Sequence, residues 1–262
     1  MPYSTKDQKW LESQLQTDLI GKVIVLKGSV ESTNDLTKTL AQKGAADGTV
    51  VLADSQTQGR GRRGREWSSE ANVGIYLSIL LHPTLSPEQV HQITLVAGVG
   101  LIEAINTFSQ TRAVLKWPND VLINNKKVAG ILTEFYQGGD HNGIILGIGV
   151  NVNNSRFPVE LQHIATSLAM ENSGSLDKLP IIAAIINNIE KEYWRFMDGE
   201  FPTIIDEWNQ NSDIFGRHIS LSLGEQTFYG TAMKLDEEGQ LVLETETGEE
   251  VAFDSGEITL LD

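Results

Sequence analysis

The chain of 262 residues contains no cysteine, so it can form neither a disulfide nor a thiolate metal site. No stretch approaches 18 apolar residues free of charge, which excludes a membrane-spanning helix. The first residues, Met1-Pro2-Tyr3-Ser4-Thr5, lack the apolar segment of a signal peptide. These absences predict a cytoplasmic protein that is neither exported nor bound to a membrane.

Positive charge is also scarce, because 20 lysines and arginines face 35 aspartates and glutamates, for a formal net charge of -15. Duplex DNA and anionic lipid both require a large basic surface, so this balance disfavours both partners. A hydrophobic content of 40% is typical of a soluble globular chain. The length allows one large domain, or one large and one small.

Against this acidic background, four of the eight arginines fall within six positions, at Arg60, Arg62, Arg63 and Arg65. Three glycines interleave them, and a glycine-rich backbone with guanidinium forks can close around an anion. The spacing of Gly59, Gly61 and Gly64 imitates two nucleotide-binding motifs, but neither a following helix nor a P-loop lysine is present. The segment therefore predicts a small-anion site of another kind, with a solvated basic loop as the alternative.

Three further segments carry polar groups at predicted strand ends. They are Lys116-Trp117-Pro118-Asn119-Asp120, Lys126 to Glu134, and Gly147 to Asn153. Each has an ordinary structural interpretation: a Pro-Asn-Asp turn, an exposed hairpin with a lysine pair, or close backbone packing at glycines.

The pattern of apolar residues predicts an α+β fold, with a central mixed or antiparallel sheet flanked by helices over residues 1–213. Helices are expected from Thr33, from an N-cap at Ser86 to Phe108, and over Pro158–Met170, Leu179–Met197 and Pro202–Gln210. Strands are expected over 50–53 and 72–81 and in a meander over 112–152. Five short strands over 217–261 predict a small β-barrel, giving a second domain at 214–262.

In this order, and together with Ser32-Thr33-Asn34, the four segments resemble the biotin protein ligase family. The resemblance covers roughly residues 20–262 and implies a catalytic domain like that of class II synthetases, followed by an SH3-like barrel. It implies an enzyme that joins biotin to ATP with Mg²⁺, releasing pyrophosphate and forming biotinyl-5'-AMP. The biotinyl group then passes to a lysine of the biotin carboxyl carrier protein or domain of acetyl-CoA carboxylase or another biotin-dependent carboxylase.

The resemblance also implies roles for individual residues. Biotin contacts are implied for Ser32, Thr33, Asn34, Gln56, Gly59, Arg60, Trp67, Lys127 and Gly130. ATP contacts are implied for Arg62, Arg65, Lys116, Asn119 and Asn151. Catalysis is implied for Arg62, Arg65, Lys116, Lys127 and Asp120, with Lys127 bridging the biotin carboxylate and the α-phosphate and Asp120 orienting or deprotonating the acceptor lysine. No dedicated protein metal ligand is implied.

Family members that repress transcription carry an N-terminal winged helix, for which the sequence before Ser32 is too short. We therefore expect a ligase without a DNA partner or a membrane partner, as a monomer or weak homodimer. Two alternatives remain: a lipoate or octanoate ligase of related fold, and a non-enzymatic nucleic-acid-binding module. Gln56 with the complete Arg/Gly loop favours biotin over lipoate, and the net charge disfavours the module.

Overall fold

The structure is a computed structural model that describes residues 3–85, 89–138 and 141–261. Its first seven strands are β1 (Ile24–Val30), β2 (Val50–Gln56), β3 (Gly74–Leu81), β4 (Val114–Lys116), β5 (Asp120–Ile123), β6 (Lys126–Gly138) and β7 (His141–Asn151). They form one mixed sheet in the order β1-β2-β3-β7-β6-β5-β4. β1 and β2 are parallel, and the other neighbours are antiparallel.

The two faces of this sheet have different partners. The helices are α1 (Thr5–Gln14), α2 (Thr33–Gln42), α3 (Val90–Phe108), α4 (Leu168–Glu171), α5 (Lys178–Met197) and α6 (Phe201–Gln210). The apolar helix α3 packs with α5 on the face that carries Ile75, Leu77 and Ile79 of β3. Because strand side chains alternate, Tyr76 and Ser78 point to the other face, where α2 covers β2, β3 and β7. The open part of that second face carries the cavity described below.

The C-terminal strands form a second, antiparallel sheet. They are β8 (His218–Leu223), β9 (Gln226–Leu235), β10 (Leu241–Thr245), β11 (Glu250–Phe253) and β12 (Glu257–Leu260), in the order β11-β10-β9-β8-β12. Ile219, Leu221 and Leu243 belong to the same hydrophobic core as the large sheet. The predicted α+β fold with a C-terminal β unit is confirmed, and the division at residues 213/214 stays a prediction.

One predicted helix is wrong. The segment Pro158–Met170 contains a 3-10 turn at Val159–Leu161 and the four-residue helix α4, joined by irregular chain. The part between these two turns is bonded to β6, since the Lys127 N–H donates to the Ile164 carbonyl at 2.8 Å and the Thr166 N–H donates to the Lys127 carbonyl at 3.0 Å. Of its apolar side chains, Leu161, Ile164 and Ala165 line the cavity, whereas Leu168 belongs to the hydrophobic core.

Two elements were missed, α1 and the edge strand β1. Both are short and half-exposed, so their apolar periodicity is weak. The predicted N-cap at Ser86 and part of the predicted glycine-rich turn over 137–143 lie outside the described residues. Among the helices that the structure describes, none combines the length and apolarity needed to span a bilayer.

Candidate active site

A cavity of about 540 Å³ lies on the α2 face of the large sheet. Four parts of the chain enclose it: the sheet, the arginine loop between Gln56 and Trp67, the segment 157–165, and β12 of the second sheet. All the residues to which the resemblance assigned a role line this cavity, except Gly59. Residues that are more than a hundred positions apart in sequence therefore share one site.

The floor of the cavity is built from glycines that leave room for one indole ring. Gly130 on β6 and Gly149 on β7 are directly paired across the sheet, and Trp67 lies on both. A Cβ at Gly149 would overlap the indole, and one at Gly130 would lie 3.2 Å from it. Gly59 lies behind Trp67, where its carbonyl accepts a hydrogen bond from the Trp67 N–H at 2.9 Å. In the structure, Gly59 therefore helps to position Trp67.

A row of uncharged polar side chains forms one end of the cavity. Gln56 Oε1 accepts from the Thr33 N–H at 2.8 Å, and Thr33 Oγ1 lies 2.8 Å from Ser78 Oγ. Ser78 Oγ donates to Asn34 Oδ1 at 2.6 Å, and Asn34 Nδ2 donates to Glu134 at 2.6 Å. Thr33, Asn34 and Ser78 are buried, so water does not replace these bonds. Such a row suits a neutral ligand that both donates and accepts hydrogen bonds.

Ser78 and Glu134 were not singled out from the sequence. Ser78 is fully buried in the apolar strand β3, between Leu77 and Ile79. A lone hydroxyl in such a strand is the signal that could have identified it, because a buried polar group requires a partner. Ser32 lies beside this row as the N-cap of α2, where its hydroxyl accepts from the Asp35 N–H.

The arginine loop folds into a small hairpin in which Arg60 pairs with Glu66 and the Gly61 N–H donates to the Arg65 carbonyl at 2.7 Å. Arg63, with φ of 55°, and Gly64, with φ of 74°, make the left-handed turn at its tip. This geometry turns the four guanidinium groups to different partners.

Two of these guanidinium groups are paired with carboxylates. Arg60 contacts Asp35 at 2.7 Å and Glu134 at 3.0 Å, and Arg65 contacts Glu257 of β12 at 2.7 Å. The biotin contact that the resemblance implies for Arg60 stays a prediction, and the Arg60 side chain is held by these two carboxylates. The loop is therefore tied to α2, to β6 and to the second sheet.

The Arg62 guanidinium has a different environment. Its Nη1 donates to Asn119 Oδ1 at 3.2 Å, and no carboxylate contacts it within the described part of the chain. Burial lowers the pKa of Arg62, and repulsion from Arg63 adds to this effect. Arg62 is thus a desolvated cation that an anion in the cavity would stabilise.

Two lysines and one carboxylate lie deeper in the cavity. Lys127 Nζ contacts Asp120 Oδ1 at 2.6 Å and lies 5.3 Å from the centre of the Trp67 ring. Lys116 is the cross-strand partner of Asp120. Burial lowers the pKa of Lys116, an effect that the attraction of Asp120 opposes and the nearby Lys127 increases. With Arg62, these side chains make a cluster of three cations around one carboxylate.

The two asparagines at the cavity hold segments of backbone. Asn119 Nδ2 donates to the Ile131 carbonyl at 2.9 Å, which leaves its Oδ1 to Arg62. Asn151 Nδ2 donates to the Thr166 carbonyl at 3.1 Å and so fixes the segment that follows the 3-10 turn. The segment 157–165 contributes Phe157, Leu161 and Ile164, which form an apolar wall that sequence reasoning missed because a helix was expected from Pro158.

One carboxylate cluster lies away from this cavity. Oxygens of Glu103, Glu192 and Glu207 come within 4.8 Å of one another. Lys191 bridges Glu103 and Glu192, and Arg195 bridges Glu192 and Glu207. The charges are compensated by side chains of α5, which indicates a structural ion-pair network between α3, α5 and α6.

Two family models match the chain. Residues 27–151 match the biotin/lipoate A/B protein ligase family, and residues 214–261 match the biotin protein ligase C-terminal domain. The biotin–[acetyl-CoA-carboxylase] ligase of Mycobacterium tuberculosis is 30% identical over 261 residues, covering 95% of both chains. The chain belongs to the biotin protein ligase family.

Two further proteins are similar to this chain over most of its length. The bifunctional ligase/repressor BirA of Bacillus spizizenii is 38% identical over 237 residues, covering 89% of this chain and 73% of that protein. A biotin protein ligase from Aquifex aeolicus, solved in complex with biotin and ATP, superposes with a TM-score of 0.81. That alignment has 32% sequence identity and covers 91% of this chain and 98% of the other. The family inferred from the sequence is thus confirmed.

Proposed function

We propose that biotin and ATP react with each other in the cavity between the large sheet and β12. The protein is an ATP-dependent biotin protein ligase. One observation supports the location: a single cavity joins a row of neutral hydrogen-bonding groups to a cluster of partly buried cations, with Trp67 between them. The neutral row fits the ureido ring of biotin, the indole fits its alkyl chain, and the cations fit a carboxylate beside a polyphosphate.

In the first reaction, a carboxylate oxygen of biotin attacks the α-phosphorus of ATP and pyrophosphate leaves, which gives biotinyl-5'-AMP. Two anions must approach each other, and Arg62, Lys116 and Lys127 lie where their charges oppose that repulsion. We assign Lys127 to the biotin carboxylate and the α-phosphate, because it already pairs with a carboxylate, Asp120. Arg65 adds a fourth positive charge beside the phosphates when its ion pair with Glu257 opens.

In the second reaction, the amine of an acceptor lysine attacks the biotinyl carbonyl carbon, AMP leaves, and the amine gives up a proton. Asp120 is the carboxylate deepest in the cluster, and it is free to accept that proton once Lys127 turns to the ligand. We propose that the acceptor is a biotin carboxyl carrier protein or domain, the substrate class of the family.

The cavity also contains oxygen groups that suit Mg²⁺. Asn151 Nδ2 is held by backbone carbonyls, which leaves Oδ1 without a protein partner among the described residues, and Asp120 supplies a carboxylate. Mg²⁺ prefers one or two such ligands plus phosphate oxygens, so these residues fit it. When bound, the ion neutralises phosphate charge. The adenine of ATP fits the apolar wall of Phe157, Leu161 and Ile164.

Lipoate is the alternative substrate, since one matching family model spans biotin and lipoate ligases. The disulfide ring of lipoate has no N–H or carbonyl group, so it would leave Thr33, Asn34 and Gln56 without ligand partners. An ordered polar row of this kind favours biotin. We also propose that the protein acts in the cytoplasm, where its nucleotide substrate is found.

The direct test mixes the protein with biotin, ATP, Mg²⁺ and a carrier domain and weighs that domain by mass spectrometry. A mass gain of one biotinyl group at one lysine is expected. Lipoate in place of biotin is the control, and transfer of lipoate with equal efficiency would contradict the assignment.

A further inference from the structure

Gly147 on β7 lies against the Asn34 amide, at the end of the cavity that carries the polar row. We propose that Gly147 is a positioning residue for biotin, because the absence of a side chain at this position lets the Asn34 amide lie on the sheet and keeps the site of the ureido ring open. The inference rests on the proposed function. It concerns the shape of the biotin site, whereas the polar row concerns its hydrogen bonds.

The space above Gly147 is bounded by its neighbours across the sheet. Ser78 of β3 and Leu132 of β6 are the residues paired with Gly147 on its two sides. Residues paired in this way present their side chains on the same face, so a space without a side chain lies between Ser78 and Leu132. The Asn34 amide spans this space, since its Oδ1 accepts from Ser78 Oγ at 2.6 Å and its Nδ2 donates to the Leu132 carbonyl at 3.4 Å.

Space, and not backbone conformation, accounts for a glycine at position 147. Gly147 is not among the glycines with positive φ, so other residues could adopt its backbone conformation. An added Cβ, however, would overlap Asn34 Oδ1 and would lie 2.9 Å from Cγ and 3.0 Å from Nδ2 of the same side chain. Because the whole amide group is affected, rotation of the amide would not remove the overlap.

An amide displaced from Gly147 would move into the cavity. Ser78 and Leu132 lie on its two sides along the sheet, and Glu134 contacts its Nδ2 at 2.6 Å. Asn34 is buried and lines the cavity, so the cavity is the open space next to it. Gly147→Ala would therefore narrow the site that we assign to the ureido ring, and biotin would have to return the amide to the sheet in order to bind.

Another glycine of β7 provides a matched control. Because strand side chains alternate, positions 143 and 147 lie on the same face of the sheet. A Cβ at Gly143 would overlap the ring of Tyr136 and would lie 2.9 Å from its hydroxyl oxygen, and Tyr136 does not line the cavity. Gly143→Ala therefore imposes a similar strain on the same strand without changing the shape of the biotin site.

The experiment measures biotinyl-5'-AMP formation by pyrophosphate release for the full chain, for the single variants Gly147→Ala, Gly143→Ala and Asn34→Ala, and for the double variant Gly147→Ala/Asn34→Ala. We expect Gly147→Ala to raise the KM for biotin about tenfold, with the KM for ATP changed less than about twofold. Gly143→Ala should leave both constants unchanged. In the Asn34→Ala background there is no amide to displace, so Gly147→Ala should not raise the biotin KM further.

Several results would overturn the inference. An unchanged biotin KM in Gly147→Ala would mean that the amide finds space elsewhere, and an equal rise in Gly143→Ala would assign the effect to strain in β7. An equal rise in the Asn34→Ala background would assign it to direct contact between the added methyl group and biotin. If Gly147→Ala alone does not fold, the double variant must fold and have the biotin KM of Asn34→Ala, and any other result rejects the inference. Failure of the unaltered chain to form biotinyl-5'-AMP rejects the proposed function itself and is detected before any variant is compared.

Discussion

Replacement of Arg62 by alanine tests the cation cluster most directly. Arg62 is partly buried, its pKa is lowered by that burial, and its described contact is to the neutral amide of Asn119. The Arg62 guanidinium has lost part of its contact with water without gaining a carboxylate ion pair within the described part of the chain. A phosphate or carboxylate at about 4 Å would interact with it by about 4 kcal/mol at an effective dielectric constant of about 20.

The expected loss of activity follows from this interaction, which the Arg62 charge makes only with an anionic ligand. Removing one positioned charge that stabilises a developing anion costs about 3–4 kcal/mol, which corresponds to about 10²–10³ in rate. We therefore expect Arg62→Ala to lower kcat/KM for biotinyl-5'-AMP formation by this factor. Because the variant also removes a partly buried charge that has no carboxylate ion pair among the described residues, its free energy of unfolding without ligand should be equal to or higher than that of the unaltered protein.

The assay is biotin-dependent pyrophosphate release, with thermal unfolding measured on the same samples. Arg63→Ala is the matched control, because Arg63 lies on the same loop and donates to the Ser222 carbonyl of the second sheet instead of facing Asn119. It should change kcat/KM less than about threefold, as for a surface contact. A rate for Arg62→Ala within threefold of the unaltered enzyme would refute the argument.

Three further predictions follow from the same site. Since burial lowers the pKa of Lys116, its ammonium loses charge at a lower pH than an exposed lysine, so kcat/KM for ATP should fall as the pH rises through that pKa. In Lys116→Arg, which keeps its charge, this alkaline fall should disappear. A fall that persists in the variant would assign the titration to another group. Gly149→Ala places a Cβ against the Trp67 ring and should raise the KM for biotin about tenfold. Gly174→Ala is the control, because its Cβ meets no atom within 4 Å, and it should leave this KM unchanged. Equal KM values for both variants would show that the indole can move aside without weakening biotin binding. Glu257→Gln removes the partner of the exposed Arg65 and should change the free energy of unfolding by about 1 kcal/mol or less. Proteolysis between Gly59 and Gly64 should nevertheless become faster, and an unchanged cleavage rate would mean that this pair does not hold the loop.

The sequence predicts the fold best where patterns are long. The helix ending at Phe108 and the meander over 112–152 have continuous apolar signals, and both are confirmed. The segment Pro158–Met170 has the composition of a helix, but its backbone bonds to β6 decide its conformation, and bonds between distant segments leave no local signal. The same reason explains β1, whose single described partner strand begins twenty residues after it ends.

In the site too, features that depend on neighbouring residues in the sequence are predictable, whereas contacts between distant segments are not. Glycine spacing and clustered arginines identify the loop, because those residue types are unusual in an acidic chain. The partners of the arginines could not be predicted, since Glu257 is 192 positions from Arg65 and Glu134 is 74 from Arg60. Ser78 resembles any strand residue until the fold places Thr33 and Asn34 above it.

The pairing of the loop arginines explains how an acidic protein can bind an anion without exposing a general basic surface. Asp35 and Glu134 neutralise Arg60, and Glu257 neutralises Arg65, so much of the loop's charge is compensated at its outer side. Arg62 and Lys116 are partly buried and lack a carboxylate ion pair among the described residues, which concentrates the uncompensated charge inside the cavity. A ligand must enter the cavity to reach these cations. Only a ligand whose anionic group then lies beside them is stabilised by their charge. Selection of a nucleotide and a carboxylic acid thus follows from the position of the free charges, and not from the number of arginines.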